Sequence, residues 1–174
     1  MISVIGLGNG ASKIVEKFKP IKNYKVFQLN SEIESHSKYK RKLQTYDTPE
    51  EYEANIPQLK TFFKPVNDRV QFFVMGSSMS SNYTLGVLEQ LKDKEIEVFY
   101  IKPDSALLTG VPKLLDKVVF SVLQEYARSG LLKSLTIMSN ELLEMHIGSV
   151  PIKKYYDTLN ESIFQTVHYL NFFE

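Results

Sequence analysis

The stretch ISVIGLGNGA, residues 2–11, decides the fold of this chain. Residues 2–5 form a short apolar run, which is typical of parallel strands that are buried on both faces. Glycine follows at Gly6, Gly8 and Gly10, and apolar residues then continue at helical spacing as far as Phe18. The stretch therefore predicts a strand, a tight turn and a helix, which together form the usual opening unit of an α/β domain.

The rest of the chain repeats this alternation. Further strands are predicted at residues 24–29, 70–75, 96–101 and 132–138. A helix is predicted to begin at Thr48, which proline and two glutamates follow. We expect an α/β fold of three layers, with a Rossmann-like, mostly parallel sheet and helices on both faces. No repeat or low-complexity linker is visible, so residues 1–174 are expected to form a single domain.

Two helices have the most regular apolar spacing. The first is predicted to bury Leu114, Leu115, Val118, Val119, Val122 and Tyr126. The second is expected to reach the end of the chain and to bury Ile152, Tyr156, Leu159, Ile163, Val167 and Leu170. Further aromatic residues of the final helix lie outside that stripe, and any that are exposed would offer a protein partner an apolar patch.

The composition excludes several classes of protein. The chain has no cysteine, which excludes disulfides and thiolate metal sites, and its three histidines, His36, His146 and His168, lack the spacing of metal ligands. A formal net charge of +1 without a basic stripe argues against nucleic acid as a partner. No apolar segment reaches the length of a membrane span, and the first residues do not resemble a signal peptide. A cytoplasmic location is therefore expected.

Two loops at predicted strand ends are candidates for phosphate binding, because ligands of open α/β sheets bind at the carboxyl ends of the strands. The first contains Gly6, Gly8, Asn9 and Gly10, where the N–H groups of a helix start attract anions. In the second, small side chains could surround phosphate oxygens, and its candidate residues are Gly76, Ser77, Ser78, Ser80 and Asn82.

Two asparagines are candidates for contacting a base, since an amide offers both donors and an acceptor. Asn140 follows the last predicted strand, and Asn160 lies on the final helix. All of these residues also have a purely structural interpretation. The first loop suits any strand-to-helix turn, Ser81 or Asn82 could cap a helix, Asn140 could do the same, and Asn160 could be exposed.

The order of these loops resembles the tubulin/FtsZ family. The segment LTIMSNELLE, residues 135–144, resembles the family's Leu-Ile-Val-Ile-Pro-Asn-Asp-x-Leu-Leu, and Val150-Pro151 and a long helix follow at a similar distance. The glycine loop resembles the family's opening loop, and Asn30-Ser31-Glu32 resembles its Asn-Thr-Asp. The element order is similar over the whole chain, whereas similarity residue by residue covers about residues 135–170.

This resemblance implies the family's GTPase-domain topology, ending at its central helix and without its second domain. It implies that Asn140 and Asn160 contact guanine, that the first loop and the Gly76 loop hold the phosphates, and that Asn30 lies in the same site. The implied ligand is GTP or GDP, with Mg²⁺ only alongside GTP. Self-association is expected because members of the family assemble.

The phosphate-binding signature departs from the family's pattern. The family's Gly-Gly-Gly-Thr-Gly-[Ser/Thr]-Gly becomes GSSMSSN at residues 76–82, which keeps only the first glycine. Side chains at such positions cost roughly 1–3 kcal/mol per strained residue. Residues 43–66 contain no glycine, and residues 102–110 lack the family's Glu-Gly-x-Arg pattern. The chain also ends before the family's acidic catalytic loop, so we expect at most a weak GTPase and assign no catalytic residue.

Three functions remain open at this point. The first is a tubulin/FtsZ-like GTP-binding protein that forms filaments or other assemblies, with incomplete machinery for hydrolysis. The second is a pseudo-GTPase, a structural or interaction protein that keeps the fold without binding nucleotide. The third is a dinucleotide-binding Rossmann domain, suggested by Gly-x-Gly-x-x-Ala at residues 6–11 and by Glu32 as an acid for the ribose.

Overall fold

A computed structural model of the protein describes residues 1–104, 107–148 and 150–173. Within these residues the strands are β1 (Ile2–Leu7), β2 (Tyr24–Asn30), β3 (Lys40–Lys42), β4 (Arg69–Met75), β5 (Glu95–Lys102) and β6 (Ser134–Ser139). The α-helices are α1 (Asn9–Glu16), α2 (Pro49–Ala54), α3 (Thr84–Glu89), α4 (Gly110–Arg128), α5 (Asn140–Ile147) and α6 (Tyr155–Phe172). Short 3₁₀ helices at Met79–Tyr83 and Ile152–Lys154 lead into α3 and α6.

The six strands form one sheet in the order β3-β2-β1-β4-β5-β6, and every described pair is parallel. This confirms the Rossmann-like α/β prediction, with a sheet that is parallel throughout the described strands. The order reverses between β1 and β4, because the chain moves outward from β1 first to one side and then to the other. Ligands of such sheets bind in the crevice at this point, beyond the carboxyl ends of the strands.

The core has two halves, one on each face of the sheet. Along β4, Val70, Phe72 and Val74 face the half that α2, α3 and α4 cover, whereas Phe73 faces the half that α1 and α6 cover. The alternation follows from the period of two in a strand. Because both faces are covered, the strands are apolar on both sides, which is why their sequences read as continuous apolar runs.

Both regular helices bury a narrower stripe than their sequences predicted. In α4, Leu114 is 63% exposed and Val118 is 52% exposed, so the prediction that they are buried is wrong. In α6, Tyr156 is 72% exposed and Leu170 is 41% exposed. Apolar spacing shows which side of a helix faces the core, but the packing of neighbouring elements decides how wide the buried stripe is.

The segment between β2 and α2 contains a strand that was not predicted from the sequence. This strand is β3, whose three residues are all basic and therefore carry no apolar period. The helix start at Thr48 is confirmed, since the Thr48 hydroxyl accepts a hydrogen bond from the Glu51 backbone N–H at 3.2 Å.

The carboxyl end of α6 is tied to the sheet by hydrogen bonds between two side-chain amides. The side chains of Gln71 and Asn171 exchange two hydrogen bonds, of 2.7 and 2.9 Å. Asn171 also donates to the Tyr24 hydroxyl at 3.1 Å, and Gln71 is fully buried. This end of α6 lies at the amino ends of the strands, away from the crevice.

None of the described helices combines the length and the apolar character that crossing a membrane requires.

Candidate functional site

The turn after β1 leaves the start of α1 open. Gly8 has φ 98° and ψ 167°, a backbone conformation that is essentially restricted to glycine. Its N–H donates to the Leu29 carbonyl at 2.7 Å. No side chain caps α1, and its first turn has no acidic residue. The backbone N–H groups of residues 9–11 therefore lack partners within the helix and form the positive end of its dipole.

The other two glycines of this turn serve packing. A β-carbon at Gly6 would lie 2.9 Å from the Ala11 carbonyl oxygen and 2.9 Å from Val15 Cγ2. A β-carbon at Gly10 would collide with the side chain of Met75. Gly6 and Gly10 thus let α1 lie close against β1 and β4, and only Gly8 owes its identity to its backbone angles.

The two predicted phosphate loops meet at Gly8. A β-carbon there would lie 3.3 Å from Ser78 Oγ and 3.8 Å from Ser80 Oγ. Both serines are half-buried. The hydroxyls of these two serines therefore border the open start of α1, at the point where the strand order reverses.

The remainder of the Gly76 loop is turned inward. Ser81 Oγ lies 3.0 Å from the Gly76 carbonyl oxygen and donates to the Ser78 carbonyl at 2.6 Å. The Asn82 amide donates to the Met79 carbonyl at 2.9 Å. Neither Ser81 nor Asn82 caps α3, so that structural interpretation is wrong.

Asn82 and Gly76 also face away from α1. Asn82 lines a small cavity with Val118 of α4, on the other face of the sheet. Gly76 lies against the buried Tyr100 side chain. Of the predicted residues in this loop, Ser78 and Ser80 are the two that the structure brings to Gly8.

A polar cleft of about 460 Å³ lies between the end of β2 and α1, and both Asn30 and Glu32 line it. Asn30 is 8% exposed and already has partners, since it donates to Ser12 Oγ at 2.8 Å and accepts from the Glu32 N–H at 2.9 Å. Asn9 also lines this cleft. Its Oδ1 is buried and has no hydrogen-bond partner among the described residues, so this acceptor is the atom here that a ligand donor could satisfy.

A second cleft, of about 370 Å³, lies between α1 and α6, and we call it the α1–α6 cleft. It is lined by Lys13, Glu16, Lys17, Tyr156, Asp157 and Asn160. Asn160 is 9% exposed, and its amide forms no hydrogen bond within the described part of the chain. The exposed ring of Tyr156 precedes it by one helical turn and therefore lies on the same side of α6.

An ion pair ties α1 to α6 beside this cleft. Lys17 Nζ lies 2.9 Å from Asp157 Oδ1 and 3.0 Å from Glu161 Oε2. The hydrogen bond to Asp157 raises the pKa of Lys17 above its usual value, and Glu161 adds to the effect against the opposing cost of desolvation. Lys13, in contrast, is exposed and forms no ion pair with other described residues, so its charge is available to an anion.

The two asparagines that the sequence pointed to have different surroundings. Asn160 lines the α1–α6 cleft, and the interpretation of it as an exposed residue is wrong. Asn140 is the first residue of α5 and does not line that cleft. It is not the cap of α5 either, because Ser139 Oγ accepts from the Leu142 N–H.

Sequence reasoning missed Lys13 and Tyr156. The spacing of Tyr156 and Asn160, four residues apart on one helix, could have identified Tyr156. No local signal identified Lys13, because only the packing of α1 against α6 brings it to the cleft. The side chain of His146 lies outside the described residues, as do residues 105–106 of the segment that lacks the family's Glu-Gly-x-Arg pattern. Among the residues that the structure describes, no group of three or more His, Cys, Asp or Glu side chains could hold a metal ion.

No protein-family model matches this chain, and no curated protein matches it.

Proposed function

We propose that this chain is a tubulin/FtsZ-like protein that binds a guanine nucleotide, with the phosphates at the start of α1 and the base in the α1–α6 cleft. The observation that carries the proposal is the amide of Asn160. It is 9% exposed, lines the cleft and has no hydrogen-bond partner within the described residues.

The chemistry of the cleft suits a purine base. The Asn160 amide faces the cleft with its donor and acceptor unbonded to other described residues, so a base edge with both donors and acceptors can bond to it. The exposed ring of Tyr156, next to Asn160, offers a surface on which a base can stack, worth about 1–3 kcal/mol. An unbonded amide beside an exposed ring is the arrangement that base recognition needs.

The start of α1 suits the phosphates. Its free N–H groups, the conformation of Gly8 and the hydroxyls of Ser78 and Ser80 together favour an anion. Lys13 adds a positive charge between the start of α1 and the α1–α6 cleft. The buried Oδ1 of Asn9 requires a donor, which a ribose hydroxyl would supply.

The wider architecture is compatible with the family resemblance, and equally with a dinucleotide-binding domain, which has the same strand order. The parallel order β3-β2-β1-β4-β5-β6 has its crevice where the family's nucleotide would lie, and α6 follows β6 and α5 as the family's central helix would. In this proposal the protein self-assembles and holds GTP or GDP, and Mg²⁺ enters only with the triphosphate. No residue is assigned to hydrolysis.

The proposal is tested by titrating fluorescent GDP and GTP into the purified protein. We expect saturable binding of both, and at least tenfold weaker binding of ATP and NAD. Asn160→Ala should weaken guanine nucleotide binding at least tenfold, whereas Gln165→Ala, on an exposed part of the same helix, should not. The melting temperatures of both variants should stay close to that of the parent. Absence of saturable binding at about 100 µM nucleotide would contradict the proposal.

A second candidate, a dinucleotide-binding domain, is favoured by the cleft beyond β2. Glu32 and Asn30 line it, and a carboxylate after the second strand is the usual partner of a ribose in such domains. Thermal stabilisation by NAD that exceeds stabilisation by GTP, and that Glu32→Ala abolishes, would establish this alternative in place of the first.

The third candidate, an interaction protein without nucleotide, is favoured by the inward-facing part of the Gly76 loop. Gly76 lies against Tyr100, and the Ser81 and Asn82 side chains are bonded within the loop. Purified protein that releases no nucleotide on denaturation and binds neither GTP nor NAD would support this candidate.

A further inference from the structure

The two edges of the sheet differ in how they are protected. At one edge, β3 has only three residues, Lys40, Arg41 and Lys42. The Lys40 carbonyl accepts a hydrogen bond from the Ser37 N–H at 2.9 Å. A short, charged and partly capped edge strand resists pairing with another chain.

The other edge has none of these protections. β6 has six residues, SLTIMS, with no charge and no proline. Ile137 is 48% exposed, and no described strand pairs with the outer side of β6. An uncharged edge strand of six residues with an exposed isoleucine is the kind of strand that accepts a further strand.

The hydrogen bonds of β5 show which backbone groups of β6 are free. The Glu95 N–H donates to the Asp68 carbonyl of the segment before β4. Because backbone groups alternate in direction along a strand, the odd-numbered residues of β5 direct their N–H and C=O groups at β4, and the even-numbered residues direct theirs at β6. Val98 is paired with Leu135, and Tyr100 is paired with Ile137. In a parallel pair only one residue directs its backbone groups at the other. The N–H and C=O groups of Leu135 and Ile137 therefore point outward.

We propose that β6 pairs antiparallel with the β6 of a second copy of this chain, about a two-fold axis at Thr136. The outward N–H and C=O groups of Leu135 then bond to those of Ile137 in the other copy, and those of Ile137 bond to Leu135 of the other copy. These bonds join the two sheets into one. Thr136 faces the same residue of the second copy as a non-hydrogen-bonded pair.

A second copy is the occupant that the charge pattern fits. A two-fold interface brings one patch against itself, so a strand with a net charge would meet the same net charge on the second copy. The strand carries none. On the face that α4 covers, the pairing sets Leu135 against Ile137 twice, which removes the exposed Ile137 side chain from water. This pairing does not depend on nucleotide binding, since β6 is the edge strand farthest from the start of α1 on that side of the sheet.

The absence of cysteine permits a direct test of the register. Thr136→Cys should form a disulfide-linked dimer under mild oxidation, because the α-carbons of a non-hydrogen-bonded antiparallel pair lie about 4.5 Å apart. Ser134→Cys is the matched control. It would face Met138 of the other copy, and we expect at least tenfold less linked dimer from it.

The second test measures the dimer by analytical ultracentrifugation. Ile137→Lys should raise the dissociation constant at least tenfold, because it sets charges in the interface. Tyr169→Lys, which places the same charge on the exposed end of α6, should leave it unchanged. Four results would overturn the proposal. They are a parent protein that stays monomeric at about 100 µM, a dimer that Ile137→Lys leaves intact, a dimer that only Tyr169→Lys dissociates, and equal linking by the two cysteine variants.

Discussion

The hydroxyl group of Tyr100 occupies the space that a β-carbon would take at Gly76. The hydroxyl donates to the Asp116 carboxylate, and both side chains are buried. Burial, with the hydrogen bond to Asp116 and its charge, holds the pKa of Tyr100 well above its usual value, so the hydroxyl stays protonated. The one glycine that this loop shares with the tubulin/FtsZ signature therefore lies against a buried side chain, and its role here is packing.

Gly76→Ala should destabilise the protein by about 1–3 kcal/mol, since the new methyl group overpacks a filled space. A β-carbon there would also lie 2.8 Å from Asp116 Oδ1. Tyr100→Phe removes the hydroxyl, so the penalty of Gly76→Ala should be smaller in that background. Urea unfolding of the parent, the two single variants and the double variant measures this coupling. Strictly additive effects would show that Tyr100 and Gly76 do not compete for the space.

Gly8→Ala should also destabilise the protein, by about 1–3 kcal/mol, because Gly8 has φ 98° and ψ 167°. It should in addition weaken nucleotide binding at least tenfold, since the methyl group would lie 3.3 Å from Ser78 Oγ. Gly130→Ala is the control. Gly130 also has positive φ, at 86°, but a β-carbon there meets no atom within 4 Å. It should lower stability and leave nucleotide binding intact, and loss of binding in both variants would count against a site at Gly8.

Lys17→Met should remove the ion pair between α1 and α6 and lower the free energy of unfolding by less than about 1 kcal/mol at pH 7. The folded pKa of Lys17 lies above its usual value of 10.5. The contribution of the ion pair to the free energy of unfolding is therefore fully present below pH 10.5, and it is lost as the pH rises through the pKa of Lys17 in the folded protein.

Denaturant unfolding at neutral and alkaline pH and at high salt checks this. The difference between parent and Lys17→Met should shrink at high pH and at high salt. Lys19→Met is the control, because the partner of Lys19, Glu16, lies on the same segment at 3.6 Å and does not link two helices. A difference that is constant with pH would mean that the methylene stem of Lys17, and not its charge, contributes the stability.

Asn171→Leu should cost about 1–3 kcal/mol, because the fully buried Gln71 loses its two hydrogen bonds to Asn171 and keeps only the longer one, of 3.4 Å, to Glu97 Oε2. The amide protons in the last turns of α6 should also exchange faster with solvent, since this end would lose its anchor. Tyr24→Phe removes the hydroxyl that accepts from Asn171 and that lies 2.8 Å from His168 Nδ1, but it keeps the pair between Asn171 and Gln71, so it should cost less. Equal exchange protection in the parent and Asn171→Leu would show that apolar packing alone holds α6.

The strands were predictable because their signals are local. The runs at residues 70–75 and 96–101 are apolar on both faces and end in Gly76 or Pro103, so their extent and their parallel pairing follow from sequence. β3 was not predictable, since its three basic residues have no apolar period and depend on β2 for their pairing. Asn160 was selected from the sequence, but its burial and the cleft around it were not foreseeable from its helical position alone.

By itself, the sequence determined the α/β class, the glycine turn after the first strand and the candidate asparagines, because these depend on residues close together in the chain. The tertiary structure decided how wide the buried stripes of α4 and α6 are, which edge of the sheet has no partner strand among the described residues, and which polar groups meet. Lys17 and Asp157 are 140 residues apart and touch only because α1 and α6 pack on the same face of the sheet. That packing also forms the cleft in which Lys13, Tyr156 and Asn160 come together.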